Sequence, residues 1–233
     1  MPRMRARPSA AVGYTDRAHA GRVLARHLED LDLVDPAVLG LARGGVPVAA
    51  EVARALGVRL RVCVARKIGA PGQPELALGA VTAHGPPGYD ERLVASFGLG
   101  EEELERLCER ERAEALRREQ RYNRGAPPRL SGRDAVLVDD GLATGATARA
   151  AIGMLRTFGP RRVVLAVPVG SPESVGALRE EADVVVCVVQ PVGFSAVGQW
   201  YRDFSATSEE EIAEILAELG EEPGGGPSEG ARS

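Results

Sequence analysis

Short apolar runs rich in β-branched residues alternate along the chain with segments whose apolar residues recur every three or four positions. Several of these runs are apolar almost throughout, as in strands that are buried on both faces of a parallel sheet. The predicted strands are Ala37–Leu41, Val58–Ala65, Leu76–Thr82, Asp134–Asp139, Arg162–Pro168 and Asp183–Val189. This alternation predicts an α/β fold with a mostly parallel central sheet and helices on both of its faces.

Five segments carry the period of an amphipathic helix or the signals that begin one. They are Asp16–Glu29, Val46–Leu56, Glu101–Arg124, Thr147–Phe158 and the segment that opens at Ser171-Pro172. In the last of these, Ser is expected as N-cap and Pro at the first helical position. Glu101–Arg124 is long and highly charged, and its apolar stripe is thin. Two interpretations of it stay open, a solvated helix or a helix that contacts a partner or a second copy.

The charge balance limits the possible partners. The formal net charge is −4 and aromatic residues make up 4%, so neither bulk positive charge nor stacking rings favour nucleic-acid binding. The longest apolar run, Val184–Val189, is far too short to span a membrane. No apolar stretch follows Arg3, Arg5 and Arg7, so we expect no secretory signal. A soluble cytoplasmic protein without nucleic-acid or membrane partners is the expectation.

The most informative stretch runs from the strand at 134–139 into the next helix. The strand delivers two adjacent acids, Asp139 and Asp140, at its carboxyl end, where ligands bind in open α/β sheets. A loop of small residues follows: Ala143, Thr144, Gly145, Ala146 and Thr147. Its N–H groups and hydroxyls, with the helix N-terminus, suit one phosphate, and the two acids suit ribose hydroxyls or Mg²⁺. A strand-to-helix turn with an acidic cap is the alternative.

This loop matches neither the Walker motif, since it has no Lys, nor the dinucleotide-binding GxGxxG pattern. Four hydrophobic residues, two acids and Thr-Gly-Ala-Thr in this order instead resemble the phosphoribosyl pyrophosphate (PRPP) signature of the type I phosphoribosyltransferases. The resemblance covers about residues 37–189. It implies Mg²⁺-dependent transfer of ribose 5-phosphate from PRPP to a nucleobase, with release of pyrophosphate. Asp139 and Asp140 would hold the ribose hydroxyls or the metal, 143–147 would hold the 5′-phosphate, and a homodimer is possible.

Two further segments match the family in chain order. Residues 39–46 resemble its pyrophosphate loop, which implies a cis peptide between Ala42 and Arg43 and pyrophosphate contacts from Ala42, Arg43 and Gly44. An ordinary surface arginine is the alternative for Arg43. Residues 66–75 lie where the family has its catalytic loop, which implies a mobile lid that carries Lys67, the only lysine of the chain. A mobile loop without function is the alternative there.

The resemblance also implies a domain layout. A single phosphoribosyltransferase domain is expected over 1–220, with its core at 37–189, a charged helical insertion at about 88–130 and a small C-terminal hood at about 190–207. The Gly- and Pro-rich tail, 221–233, is predicted to be disordered. In the hood, Trp200 and Tyr201 could offer ring faces to a base, and packing against the core is the alternative for each.

One position departs from part of the family. The hypoxanthine/guanine branch carries an Asp in the phosphate loop where this chain has Ala143, so the loop is closer to the adenine and orotate branches. A general base must then come from elsewhere, with Glu75 of the lid as a candidate, or the base arrives deprotonated. The acceptor base stays unassigned. A regulatory PRPP-binding protein of the same fold is the alternative function, and it is disfavoured because Arg43, Lys67 and both acids are present together.

Overall fold

The computed structural model describes residues 13–124 and 127–220 of the 233-residue chain. The predicted disordered tail and the N-terminal arginines lie outside these residues. The strands are β1 (Ala37–Leu41), β2 (Leu60–Cys63), β3 (Ala65–Ala70), β4 (Gln73–Thr82), β5 (Gly88–Tyr89), β6 (Asp134–Val138), β7 (Arg162–Val169) and β8 (Val184–Val189). Five of them form a parallel sheet in the order β2-β1-β6-β7-β8, which confirms the predicted fold class.

The described residues also form seven α-helices and one short 3-10 helix, Val197–Trp200. The α-helices are α1 (Arg17–Glu29), α2 (Gly45–Leu56), α3 (Glu91–Phe97), α4 (Glu101–Asn123), α5 (Ala146–Arg156), α6 (Pro172–Leu178) and α7 (Glu209–Leu219). Asp16 caps α1 by accepting from the N–H of His19, and Ser171 caps α6 as predicted. Among these described helices, none has the length and apolar character needed to cross a membrane.

Side chains along β6 alternate between two apolar cores, one on each face of the sheet. Val136 and Val138 point into the core that α1, α2 and α7 cover, while Ala135 and Leu137 point into the core that α5 and α6 cover. Because successive residues of a strand face opposite sides, an unbroken apolar run fits only a strand that is covered on both. The sheet therefore has helices on both faces, as its apolar strands predict.

Strands β3, β4 and β5 form a second, antiparallel sheet, which corrects two sequence predictions. The single strand expected over 58–65 is divided between β2 of the main sheet and β3 of the second. Residues 66–75, expected as a lid loop, form β3, a turn at Pro71-Gly72 and the start of β4. Gly72 has φ +72° after a Pro, the arrangement of a type II turn, so Pro and Gly here join two strands.

Helix α4 covers this second sheet and reaches the edge of the first. Its Cys108 packs with Ile68 and Val81 of the second sheet. Near its end, the Asn123 side chain accepts a hydrogen bond from the N–H of Val62 at 3.0 Å and donates one to its carbonyl at 2.7 Å. The amide thus occupies the free edge of β2 as a neighbouring strand would. Part of this charged helix is neither solvated nor available to a partner.

The segment after β8 ends in a helix that the sequence patterns did not predict. Helix α7 begins after Ser208, whose side chain accepts from the N–H of Glu211. Its Ile212 is fully buried in the core that also contains α1 and α2, and Ile215, Leu216 and Leu219 pack against the same core. The residues after the expected hood therefore complete one face of the central sheet.

Candidate active site

The strand order places a crevice between β1 and β6. The chain moves from β1 outward to β2 and later returns to the other side of β1 with β6, so the winding direction reverses between these neighbours. At such a switch point, the loops that leave the carboxyl ends of the two strands diverge and make room for a ligand. The loops concerned are 42–45 after β1 and 139–145 after β6.

The loop after β1 contains a cis peptide bond between Ala42 and Arg43, as the family resemblance implies. Arg43 is exposed, and Gly44 and Gly45 follow it directly. A Cβ atom at Gly45 would lie 2.6 Å from the carbonyl oxygen of Val138 and 2.9 Å from Cα of Asp139. A Cβ at Gly44 would collide with Oδ2 of Asp140. Only glycines let this loop lie directly against the two acids.

Each of the two acids has one carboxylate oxygen engaged by the protein. Oδ1 of Asp139 accepts from the N–H of Asp140 at 2.8 Å, and Oδ2 of Asp140 accepts from Nε of Arg17 at 2.8 Å. Within residues 13–124 and 127–220, no hydrogen bond reaches Oδ2 of Asp139 or Oδ1 of Asp140. Two carboxylate oxygens at the end of β6 are therefore available to a ligand.

Burial in the crevice disfavours the charged form of both acids. It raises the pKa of Asp139 well above its ordinary value, the neighbouring Asp140 charge raises it further, and the Asp140 N–H and Arg17 oppose the shift. Burial also raises the pKa of Asp140, with Arg17 opposing it. One arginine thus faces two adjacent carboxyl groups, and it offsets only part of the effect of burial on their charged forms.

Arg17 is a site residue that the sequence patterns missed. It lies at the first position of α1, where the helix dipole disfavours a cation, and the first turn contains no acid. Its side chain is 12% exposed and that of Asp140 14%, so the ion pair is largely shielded from water. The sequence does place Arg17 immediately after the N-cap Asp16, where a cation is unfavourable. This unfavourable position could have indicated that contacts with other parts of the protein hold the side chain.

Tyr201, one of the two aromatic residues considered for contact with a base, is packed among other aromatic rings. The residue is 7% exposed, and its ring contacts those of Tyr14 and Phe204, with ring centroids 5.4 and 5.0 Å away. Its hydroxyl donates to the backbone carbonyl of Asp140 at 2.6 Å. The ring is packed here as the second alternative describes, and contact of Tyr201 with a base stays a prediction. Trp200 is partly buried against the same cluster, and its contact with a base stays a prediction.

The loop after the acids is held by the neighbouring loop after β7. Leu142 is buried, its N–H donates to the carbonyl of Val169 and its carbonyl accepts from the N–H of Ser171. The hydroxyls of Ser171 and Ser174 both donate to the carbonyl of Ala143. Because this carbonyl is occupied by hydroxyl donors, it is turned toward α6. Ala143 and Thr144 themselves are exposed.

The two helices that begin at the crevice, α2 and α5, have no side-chain N-cap. Gly44 precedes α2 and Gly145, with φ +74°, precedes α5. By contrast, Asp16, Asp90, Ser171 and Ser208 cap α1, α3, α6 and α7. Uncapped first-turn N–H groups and the positive end of the helix dipole attract anions. The crevice thus has two such helix ends beside its acids.

The structure does not bring Lys67 into this cluster by any described contact. Lys67 lies on β3 opposite Ala80, is exposed, and takes part in none of the salt bridges of the described residues. Glu75, the suggested general base, is exposed on β4. Both belong to the β3–β4 hairpin, whose turn at Pro71-Gly72 is also exposed.

The donor set fits Mg²⁺ that arrives with a substrate. Mg²⁺ is commonly held by one or two carboxylates, with substrate oxygens and waters completing an octahedron. Asp139 and Asp140 each supply one carboxylate oxygen that no hydrogen bond of the described residues engages, and a cation there would favour the charged forms that burial disfavours. No group of three His, Cys, Asp or Glu side chains converges among the described residues, so the protein part of such a site is this pair.

Comparison with known proteins identifies the class to which this fold and crevice belong. The family model described as phosphoribosyl transferase domain matches residues 15–199, so the chain belongs to this family. A crystal structure of TT1426 from Thermus thermophilus is 47% identical, with a TM-score of 0.76 over 89% of this chain and 99% of that one. Residues 15–199, which the family model matches, contain the loops after β1 and β6.

Relatives of known sequence agree with this assignment. A Mycobacterium tuberculosis protein named "Putative phosphoribosyl transferase" is 45% identical over 204 residues, which is 87% of this chain and 46% of that protein. The chain therefore spans about half the length of the curated relatives it matches. The uracil phosphoribosyltransferase of Lactobacillus gasseri is 44% identical over 54 residues, 23% of this chain and 26% of that enzyme.

Proposed function

We propose that this protein is a Mg²⁺-dependent phosphoribosyltransferase, which transfers ribose 5-phosphate from PRPP to a nitrogenous base and releases pyrophosphate. The observation that carries the proposal is the contact between two loops at the switch point. Gly44 and Gly45 lie against Asp140 and Asp139, so backbone N–H groups suited to pyrophosphate adjoin carboxylates suited to a ribose. The alternative, a strand-to-helix turn with an acidic cap, is disfavoured because the N-cap of α5 is Gly145 and neither acid caps this helix.

In this proposal, each part of PRPP has its own protein partner. The uncapped end of α5, with Thr144 and Thr147, binds the 5′-phosphate. Oδ2 of Asp139 and Oδ1 of Asp140 either accept hydrogen bonds from the two vicinal ribose hydroxyls or would coordinate Mg²⁺ that holds these hydroxyls. The loop 42–44 and the uncapped end of α2 bind the pyrophosphate. The geometry supports this division because the three anchor points adjoin one crevice.

The chemistry then follows from charge. Pyrophosphate leaves the anomeric carbon as positive charge grows on the ribose ring, so stabilising the leaving group and the ring lowers the barrier. Arg43 and the loop amides act on the leaving group, and the acids favour a cationic ring. Bound Mg²⁺ would neutralise charge that develops on the pyrophosphate. Lys67 and the β3–β4 hairpin would exclude water if the hairpin closes over the crevice.

The acceptor is proposed only as a nitrogenous base. Ala143 has no acidic or basic side chain, so the phosphate loop contains no general base at this position. Glu75 would have to approach with the hairpin turn. A base that loses its proton readily in solution would need no such group. A test therefore requires bases that lose a proton readily and bases that do not.

The test is pyrophosphate release from PRPP and Mg²⁺ over a panel of purines and pyrimidines. We expect release with at least one base, together with saturable binding of Mg-PRPP in calorimetry. Asp139→Ala and Asp140→Ala should abolish that binding, and unchanged affinity in both variants would refute their assignment. Asp30→Ala is the matched control, since Asp30 is an exposed acid at the opposite end of α1 from Arg17.

A second arm separates catalysis from regulation. Tight PRPP binding without turnover of any base would count against the enzyme and favour a regulatory PRPP-binding protein. In that case, affinity for nucleic acid measured with and without PRPP would identify the regulated partner. We expect turnover and no PRPP-dependent nucleic-acid binding.

A further inference from the structure

Arg17 connects three parts of the molecule that are far apart in sequence. Its Nε donates to Oδ2 of Asp140 at 2.8 Å, and its Nη1 donates to the backbone carbonyl of Ser205 at 2.6 Å. Its guanidinium carbon lies 4.0 Å from the ring centroid of Phe204. One side chain thus joins the start of α1, the acid pair after β6 and the segment 201–205.

Helix stability does not explain this arrangement. A cation in the first turn of a helix opposes the dipole, and withdrawing an arginine from water is costly unless its donors are paired. The planar guanidinium pairs them with a carboxylate and a carbonyl and stacks on an aromatic ring, which a lysine ammonium cannot do in the same geometry. The contacts of Arg17 therefore favour a role at Asp140.

Asp140 is held at its backbone as well as its side chain. The Tyr201 hydroxyl donates to its carbonyl at 2.6 Å, and its N–H donates to Oδ1 of Asp139. With Oδ2 bound to Arg17, rotation of the carboxylate would break an ion pair that is largely shielded from water. Oδ1 is the oxygen that remains for a ligand, and its direction is set by the bond that Oδ2 makes.

We propose that Arg17 is a positioning residue for the PRPP site, which orients Asp140 so that Oδ1 meets the ribose and which ties this orientation to the segment 201–205. The inference rests on the proposed function. Arg17 touches neither the ribose nor the pyrophosphate in this assignment. It acts through Asp140, and its effect on the substrate is therefore indirect.

The cleft beside Arg17 makes a chemical-rescue test possible. A space of about 210 Å³ is lined in part by Asp16, Arg17, Pro47 and Asp203. It is open to solvent at the exposed Asp203. A free guanidinium ion can therefore reach the position that an Arg17→Ala substitution vacates. Rescue of PRPP binding by this ion separates loss of the local contact from general disruption of the fold.

The experiment compares Arg17→Lys, Arg17→Met and Arg17→Ala with the wild type. Removing a hydrogen bond between charged groups costs about 10- to 100-fold in an equilibrium constant. We expect Mg-PRPP affinity in calorimetry to fall by that factor in Arg17→Met and by less in Arg17→Lys. Free guanidinium should restore part of the affinity of Arg17→Ala. The KM for PRPP should rise more than kcat falls.

Arg22→Met is the matched control, because Arg22 lies on the same helix and pairs with Glu51 at 3.6 Å with its side chain 55% exposed. It should bind Mg-PRPP as the wild type does. The fluorescence of Trp200, the only tryptophan, gives a second readout without substrate. It should change in Arg17→Met and not in Arg22→Met, since the adjacent Tyr201 and Phe204 contact the Arg17–Asp140 pair.

The outcomes separate this inference from the function on which it rests. If the wild type binds Mg-PRPP and a folded Arg17→Lys or Arg17→Met variant binds equally well, the positioning role is refuted and the proposed function stands. Weak binding in Arg17→Ala that guanidinium does not restore, while Arg17→Lys is unaffected, also refutes it. If the wild type does not bind Mg-PRPP at all, the proposed function fails and the inference fails with it.

Discussion

Strand β6 has acids at both of its ends, and the protein treats them in opposite ways. At the N-terminal end, Asp134 is fully buried and accepts hydrogen bonds from Arg161, Arg162 and the N–H of Val34. At the C-terminal end, Asp139 and Asp140 share one arginine and leave one oxygen each without a partner in the described structure. One end is saturated with donors and the other is not.

The pKa values record this difference. Burial alone would raise the pKa of Asp134, but the hydrogen bonds from Arg161, Val34 and Arg162 outweigh it and lower the pKa. For Asp139, burial raises the pKa and the charge of Asp140 raises it further. A carboxylate with complete partners stabilises the fold, whereas one that is buried without them is kept at a cost to stability. Such a cost suggests that a ligand supplies the missing partner.

The largest expected effect comes from removing charge at the C-terminal end. Asp139→Asn should lower kcat/KM for PRPP by about 1000-fold, a typical loss when a group that stabilises the transition state is removed. The free energy of unfolding at pH 7 should be unchanged or higher, because the native fold disfavours the ionised carboxyl. Steady-state kinetics and urea unfolding measure the two quantities. A clear loss of stability would show that the Asp139 carboxylate stabilises the fold, as that of Asp134 does.

The opposite result is expected at the N-terminal end. Asp134→Asn should lower the free energy of unfolding by about 3 kcal/mol, because two arginines lose their buried partner. The affinity for Mg-PRPP should be unchanged once the protein is folded. Asp35→Asn is the control, since Asp35 is 69% exposed and pairs with Arg133 at the surface, where such pairs contribute less than about 1 kcal/mol.

A smaller effect is expected in the hairpin. Lys67→Arg should leave the free energy of unfolding unchanged, because Lys67 is exposed, and should lower kcat by about 10-fold, or about 1.4 kcal/mol. Arg is a planar fork and Lys a compact point charge, so a closing hairpin would place them differently. Arg66→Lys is the control: Arg66 lies on the same strand as Lys67, and its substitution disturbs the pair with Glu111 of α4 and should spare kcat. Full activity of Lys67→Arg would remove Lys67 from the site.

The smallest effect is a difference in the pH dependence of stability. Asp134 has a lowered pKa in the fold, so its contribution is present above about pH 4 and is lost as the pH falls through the folded pKa. Asp139 has a raised pKa, so the native state keeps its proton longer and stability declines as the pH rises from about 4 to the folded pKa. Each pKa unit is worth about 1.4 kcal/mol.

Urea unfolding of the two Asn variants from about pH 3 to about pH 7 measures this difference. Asp134→Asn should flatten the acid side of the profile, and Asp139→Asn should remove the decline on the neutral side. Profiles that change in the same direction would show that the protein holds the acids at the two ends of β6 in the same way.

Much of the site was predictable because its parts are contiguous. The apolar runs indicated β1, β6, β7 and β8, and the two acids with the small-residue loop stand in one segment of 135–147. The cis peptide at Ala42–Arg43 followed from the resemblance of a short loop. Within such stretches, local geometry is specified by neighbouring residues, so sequence patterns suffice.

Other features could not be decided from the sequence, because two outcomes share one composition. Pro and Gly in 66–75 fit a mobile loop and a tight turn equally, and the register of β3 with β4 selected the turn at Pro71-Gly72. An aromatic residue near a site fits base contact and core packing equally, and the rings of Tyr14 and Phe204 around Tyr201 selected packing. In both cases the choice depends on residues distant in sequence.

The sequence by itself determined the α/β alternation, the two loops with their glycines and the adjacent acids at the end of β6. Only the tertiary structure decided what surrounds those acids. Arg17 reaches Asp140 across 123 positions, and Arg161 and Arg162 reach Asp134 across 27 and 28. Whether a carboxylate is saturated or left available depends on which donors the fold brings to it. Those donors come from other elements of the fold, so the acids' own sequence neighbourhood does not reveal them.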